Sequence, residues 1–159
     1  MVSNKNLDRY ALISVYDKTN LNFICKTLNK YNIGIISTGS THKKISGLGF
    51  KSHEISKLTN SKEILGGRVK TLHPKIYTSI LHDRKKEDHY QTFKQIKFPK
   101  IDYIIVNLYP FEKFSSNNKN ELTSIEMIDI GGVSLLRAGS KNFHSITSIS
   151  SPKDYFKFN

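Results

Sequence analysis

The chain has no tryptophan, one cysteine, four prolines and about half as many acidic groups (13 Asp+Glu) as basic ones (25 Lys+Arg) in 159 residues. The lone Cys25 excludes an intrachain disulfide and leaves no thiol pair for a metal, so a reducing cytoplasm is the expected compartment. No apolar run is long enough to span a bilayer, and residues 1–6 carry no apolar signal core, so the chain reads as soluble and unprocessed. The six histidines lack a partner cysteine or a tight His pair, which leaves no metal site to expect. No repeat or low-complexity linker divides the chain, and its length suits one domain with a single core. The net charge of +12 raises a nucleic-acid reading. Its excess is lysine, however, and arginine is scarce, so the Arg forks and stacking modules of nucleic-acid readers are missing. A solvated lysine surface is the expectation, with neither nucleic acid nor membrane as partner.

What is present is an alternation of strand-like and helix-like segments. Residues 10–15 form a short apolar run of the kind found in buried strands, and Asp17 and Thr19 stand where they can cap a helix carrying Leu21, Ile24, Cys25 and Leu28. A second strand is expected over 33–37, a helix with Ile45 and Leu48 inward and ended by Gly49, and a third strand over 51–55. Residues 56–74 have no clear period and read as a long functional loop. A helix is expected over 85–96 and the clearest strand over 101–106. Thr123 or Ser124 would cap a short helix through Met127, a Gly131-Gly132 pair precedes a helix over 133–141, and 145–149 is a final strand. This order predicts an α/β domain, doubly wound, with a mostly parallel sheet flanked by helices on both faces. Ligands of such sheets bind beyond the carboxyl ends of the strands.

Polar clusters fall at those ends. Ser14 and Lys18 follow the first strand, and Thr38-Gly39-Ser40-Thr41 follows the second, where backbone N–H groups at a helix start suit an anion. The plainer alternative is an ordinary strand-to-helix turn. Gly66-Gly67-Arg68-Val69-Lys70-Thr71-Leu72-His73-Pro74-Lys75 gathers cations that need solvent or an anion beside them. Asn107-Leu108-Tyr109-Pro110-Phe111 ends the clearest strand with an amide and a phenol, the latter fit for proton transfer or for simple half-burial. Asp129 before the glycine pair and Lys141 further along form a carboxylate and an ammonium able to share a proton, or else a cap and a surface lysine.

Taken together and in this order, Ala11 through Thr19, Ser37-Thr38-Gly39, Gly67 through Pro74, Asn107 through Phe111, and Ile128-Asp129-Ile130-Gly131-Gly132 to Lys141-Asn142 resemble the IMP cyclohydrolase domain of the bifunctional AICAR transformylase/IMP cyclohydrolase family. The resemblance runs from Tyr10 to Tyr155. It implies a methylglyoxal-synthase-like fold, a homodimer, and a reaction without cofactor or metal on a small-molecule nucleotide, formyl-AICAR. Carried over by residue, it implies that Ser14, Lys18, Thr38, Gly39, Thr41 and Arg68 hold the phosphate and ribose. Lys70 and Thr71 would face the reacting end, Lys70 against the developing oxyanion, while Asn107 and Tyr109 orient the base. Asp129 and Lys141 would handle protons, with backbone contacts from Ile130 and Gly131.

The chain departs from the family at Ser40 and Thr78-Ser79, where glycine or a small residue is usual, at Phe143, where histidine is common, and at Tyr16, which replaces a small hydroxyl residue. Residues 1–159 are expected to form one cyclohydrolase-like domain short of the family's usual C-terminal end, without the transformylase domain; a separate transformylase chain is one partner this arrangement allows. The competing expectations are a methylglyoxal-synthase-like regulatory module that binds nucleotide without turnover, and methylglyoxal synthase itself. Lys70, Tyr109, Asp129 and Lys141 argue against the first, because a sensor needs no proton-handling set. The Arg68–Pro74 and Asn107–Phe111 motifs argue against the second.

Overall fold

The computed structural model describes residues 7–117 and 121–158; residues 1–6, read above as an unprocessed start, lie outside them. Five strands form one sheet: β1 (Tyr10–Val15), β2 (Gly34–Ser37), β3 (His53–Glu54), β4 (Ile101–Asn107) and β5 (Thr147–Ile149). Every pairing is parallel and the order is β3-β2-β1-β4-β5, so the strand sequence reverses direction between β1 and β4. The expected doubly wound α/β architecture is therefore present, with a sheet that is wholly parallel.

Alternation along β1 explains the two layers. Ala11, Ile13 and Val15 join Leu21, Ile24, Cys25 and Leu28 of α1 (Leu21–Lys30), Ile45 of α2 (Gly39–Gly47) and Tyr155 on one face. Leu12 and Ile104 join Ile76 and Ile80 of α4 (Pro74–Leu81) and Leu135 and Ala138 of α8 (Gly131–Lys141) on the other. Both faces of the central strands are dry, which is why they read as continuous apolar runs. Burial also pushes the Cys25 thiol up to about 12, so it stays a neutral core side chain.

The structure corrects several local expectations. The stretch read as a long loop contains α3 (Ile55–Thr59), a 3-10 turn at Leu65–Gly67 and an antiparallel bridge between Ile64 and Val69. Helix α4 follows at once, started by Pro74 in its first turn and by His73 Nδ1, which accepts the Lys75 N–H at 3.2 Å. The α1 cap position is Asn20 in the left-handed region (φ 58°), while Asp17 Oδ1 instead accepts the Thr19 N–H at 2.8 Å. Helix α5 runs Glu87–Gln95 and is followed, beyond β4, by α6 (Phe111–Asn117). Thr123 and Ser124 lie inside α7 (Glu121–Glu126) rather than capping it, and the Gly131-Gly132 pair forms the first turn of α8. The last described segment is a 3-10 stretch, Pro152–Phe158.

At the amino end of β4, buried Asp102 meets Arg9 at 3.1 Å and Arg84 at 2.5 Å. That end is tied by ion pairs; the opposite end is left open.

Candidate functional site

The carboxyl ends of β1, β2 and β4 open into a cleft of about 430 Å³ at the point where the strand order reverses, the expected place for a ligand in an open parallel sheet. On the β1–β2 side, Ser14 Oγ and Thr38 Oγ1 are 3.1 Å apart. Thr41 Oγ1 accepts the Val15 N–H at 3.3 Å and donates to the Val15 carbonyl at 3.2 Å. These ties hold the first turn of α2 against β1 and bury Thr38 and Thr41. Gly39, between Thr38 and Ser40, has φ +32°, and a Cβ there would stand 3.6 Å from Lys70 Nζ.

The Lys18 ammonium folds back to donate to the carbonyls of Val15 and, at 3.2 Å, Tyr16. Its pKa is lowered by burial, against the opposing pull of Asp17. Asn107 ends β4 and spends both ends of its amide on the same loop. Its Oδ1 accepts from the backbone N–H groups of Tyr16 at 2.7 Å and Asp17 at 2.8 Å, and its Nδ2 donates to the Asp17 carbonyl at 2.9 Å. The geometry makes Asn107 a clamp between β4 and the β1–α1 loop.

The cationic loop crosses the cleft between left-handed Gly66 and Gly67 and α4. A Cβ on Gly67 would sit 2.9 Å from Lys70 Cε, so the glycine leaves room for that side chain. Lys70 Nζ is 3.2 Å from Glu63 Oε2. Arg68 pairs with Glu126 of α7, its Nε lying 3.4 Å from Oε2 with a second, closer bond from the other arm of the fork. Their hydrogen bond is the leading cause that holds the Arg68 guanidinium pKa up and the Glu126 carboxyl pKa down. Both side chains are solvent-facing, so the pair is readily exchanged for another anion.

The far wall is the start of α8. Asp129 Oδ1 accepts the Gly132 N–H at 2.6 Å, satisfying one of the helix's unpaired first-turn donors. Buried Thr71 abuts this turn, its Oγ1 2.8 Å from where a Gly131 Cβ would be. Ile130 is exposed beside them. Tyr109 is half-exposed at the rim, its ring centroid 5.3 Å from that of Tyr16 and inclined at 67°.

The structure thus brings Ser14, Lys18, Thr38, Thr41, Arg68, Lys70, Thr71, Asn107, Tyr109, Asp129, Ile130 and Gly131 to one cleft, with Gly39 at its edge. It does not bring Lys141 there. That residue lies at the other end of α8, in a separate hollow with Leu108, Val133, Leu136, Arg137 and Ser140. Sequence reasoning missed Glu126 as a lining residue. Nothing in local spacing signals a pair that spans 58 residues. Among the described residues, no group of three His, Cys, Asp or Glu could hold a metal ion, and no helix is long and apolar enough to cross a membrane.

The family described as MGS-like domain matches residues 20–134. The bifunctional purine biosynthesis protein PurH of Corynebacterium glutamicum (strain R) is 42% identical over 155 residues, covering 98% of this chain and 30% of that protein. PurH of Fusobacterium nucleatum is 47% identical over 145 residues, covering 91% of this chain and 29% of that protein. The chain therefore spans about 30% of the length of these relatives. The crystal structure of ForH matches with a TM-score of 0.81 and 27% identity, over 94% of this chain and 76% of that one.

Proposed function

We propose, from the premise that this chain belongs to the MGS-like domain family, that its cleft closes the second ring of inosine monophosphate from formyl-AICAR. Purine biosynthesis is what the PurH relatives are named for. The observation that carries the reading is the convergence of Lys70, Thr71, Tyr109 and Asp129 on one cleft beside a hydroxyl-rich turn.

The nucleotide's phosphate takes the turn formed by Ser14, Thr38, Gly39 and Thr41, where a helix start favours negative charge. Arg68 exchanges Glu126 for a phosphate oxygen. Lys18 and Asn107 act through the β1–α1 loop they brace. The reaction is intramolecular, so the protein's task is to hold one rotamer and move protons. The carboxamide nitrogen forms a bond to the formyl carbon while the formyl π-bond opens onto oxygen, which Lys70 meets as negative charge builds. Asp129 takes the nitrogen's proton and Tyr109 supplies the oxygen's. In the resulting carbinolamine the C–O bond then breaks, the hydroxyl taking the proton held by Asp129 to leave as water, while the former formamide nitrogen gives its N–H proton back to Tyr109 and forms the C=N bond of the closed ring. Lys141, in its separate hollow, takes no part in these steps. We expect the active form to be a homodimer in the cytoplasm.

Purified protein mixed with formyl-AICAR and followed by absorbance should form inosine monophosphate. Lys70→Ala should lower kcat by roughly 10²–10³, the usual loss for an oxyanion donor. Binding of the nucleotide without product in the wild type would instead mark a regulatory module.

A further inference from the structure

We propose that Tyr16 is a positioning residue whose ring holds Tyr109 in the orientation that proton transfer in the cleft requires. Its chemistry rests on the ring-closure reading above; its contact rests on geometry alone.

Tyr16 is the first residue beyond β1, and its backbone is set by the Asn107 clamp. The Tyr16 N–H reaches Asn107 Oδ1 at 2.7 Å and the Asn107 carbonyl at 3.4 Å, and the next N–H, of Asp17, reaches the same Oδ1 at 2.8 Å. The ring therefore leaves from a fixed point. It meets Tyr109 with centroids 5.3 Å apart at 67°, within the edge-to-face range that stabilises aromatic pairs.

Tyr109 needs such support. Among the described residues its phenol makes no hydrogen bond, and the Tyr16 ring is its one ring partner. The residue is 39% exposed in the connection between β4 and α6. Its backbone is confined by the following Pro110 and by the Phe111 N–H that returns to the Tyr109 carbonyl at 2.9 Å. Those constraints fix the main chain and leave the side-chain torsions free, at an entropic cost to any step that needs one rotamer. An aromatic contact of about 0.5–1.5 kcal/mol removes much of that freedom.

Three variants test this: Tyr16→Phe, Tyr16→Ser and Tyr109→Phe. In protein labelled with ¹³C-tyrosine, the ring signals lost in Tyr109→Phe identify Tyr109. We expect those signals to move toward free-ring positions in Tyr16→Ser and to stay near their wild-type positions in Tyr16→Phe. In the ring-closure assay Tyr16→Ser should lower kcat roughly two- to twelvefold, the rate equivalent of the contact. Its KM should remain within about twofold and Tyr16→Phe should retain the rate. Unmoved Tyr109 signals in Tyr16→Ser overturn the proposal. So does a Phe variant as slow as the Ser variant, or a change confined to KM, which would make Tyr16 a ligand contact. If the wild type forms no inosine monophosphate, the ring-closure reading falls, while the Tyr109 signals still decide whether Tyr16 positions that ring.

Discussion

At Gly132 a missing side chain makes room for the Asp129 carboxylate. A Cβ there would lie 2.6 Å from Asp129 Oδ2 and 2.8 Å from Leu108 Cδ2, so Gly132→Ala must push the carboxylate aside. We expect the variant to lose turnover well beyond its loss of stability, about 1–3 kcal/mol for an overpacked site. Paired kcat and urea-midpoint measurements check this, and equal losses in both would mean that the carboxylate's position is not what matters. Asn107 carries the opposite balance. Replacing it with leucine removes the side-chain acceptor of the Tyr16 and Asp17 N–H groups and leaves Tyr16 only its 3.4 Å bond to the backbone carbonyl of residue 107, at about 0.5–1.5 kcal/mol for each hydrogen bond lost. Urea unfolding should register most of that loss. A midpoint within experimental scatter of wild type would remove Asn107 from its role as a clamp.

Helix α8 is the element that joins core to cleft, with its first turn at the site and its last turns on the sheet. A Cβ on Gly139 would fall 2.3 Å from Ser148 Oγ and 2.9 Å from Ile104 Cδ1, so this helix approaches β4 and β5 closely only because the residue is glycine. Gly139→Ala should destabilise by about 1–3 kcal/mol in urea unfolding, and a neutral result would mean that α8 can shift outward freely. The same elements explain what was legible beforehand. β1 and β4 announce themselves as apolar runs, because strands covered on both faces carry little polar alternation. α1 and α8 show helical spacing of Leu21, Ile24 and Leu28 and of Leu135 and Ala138. α4 was hidden because its core face carries Ile76 and Ile80 but also Tyr77 and Ser79, with no apolar period, and a cationic loop runs straight into it. Polar clusters at strand ends pointed to the cleft, since topology alone puts such ends together. The partners inside it were not legible. Arg68 with Glu126, Asn107 with the Tyr16 backbone, and Tyr16 with Tyr109 are tertiary pairings with no local period.

Across the whole molecule, stability should weaken with acid through buried His82 and half-buried His53. His82 is almost fully buried, stacked on Phe93 with ring centroids 4.3 Å apart. Burial, the largest cause, pushes its pKa below the ordinary 6.5; contacts to the Thr78 and Ser79 carbonyls oppose this, and Arg84 and Lys100 reinforce it. His53 is shifted in the same direction, chiefly by burial. A histidine whose folded pKa is depressed favours the native state above the unfolded value, and that contribution is lost as pH falls through the folded one. The urea midpoint should therefore drop from about pH 6.5 downward, less steeply in His82→Gln. An unchanged slope in that variant would exclude His82 as the cause. The Asn107 clamp also bears on how the molecule comes to exist. It joins segments 90 and 91 residues apart, across the β1–β4 seam where the strand order reverses. Long-range closures of this kind form slowly, because chain entropy is lost before the contacts that compensate for it are made. A nascent chain can pair β1 with β2 and form the hydroxyl turn early, yet half the cleft is missing until β4 arrives. A ligand that needs both halves cannot template folding; it can only slow the escape of a chain already folded.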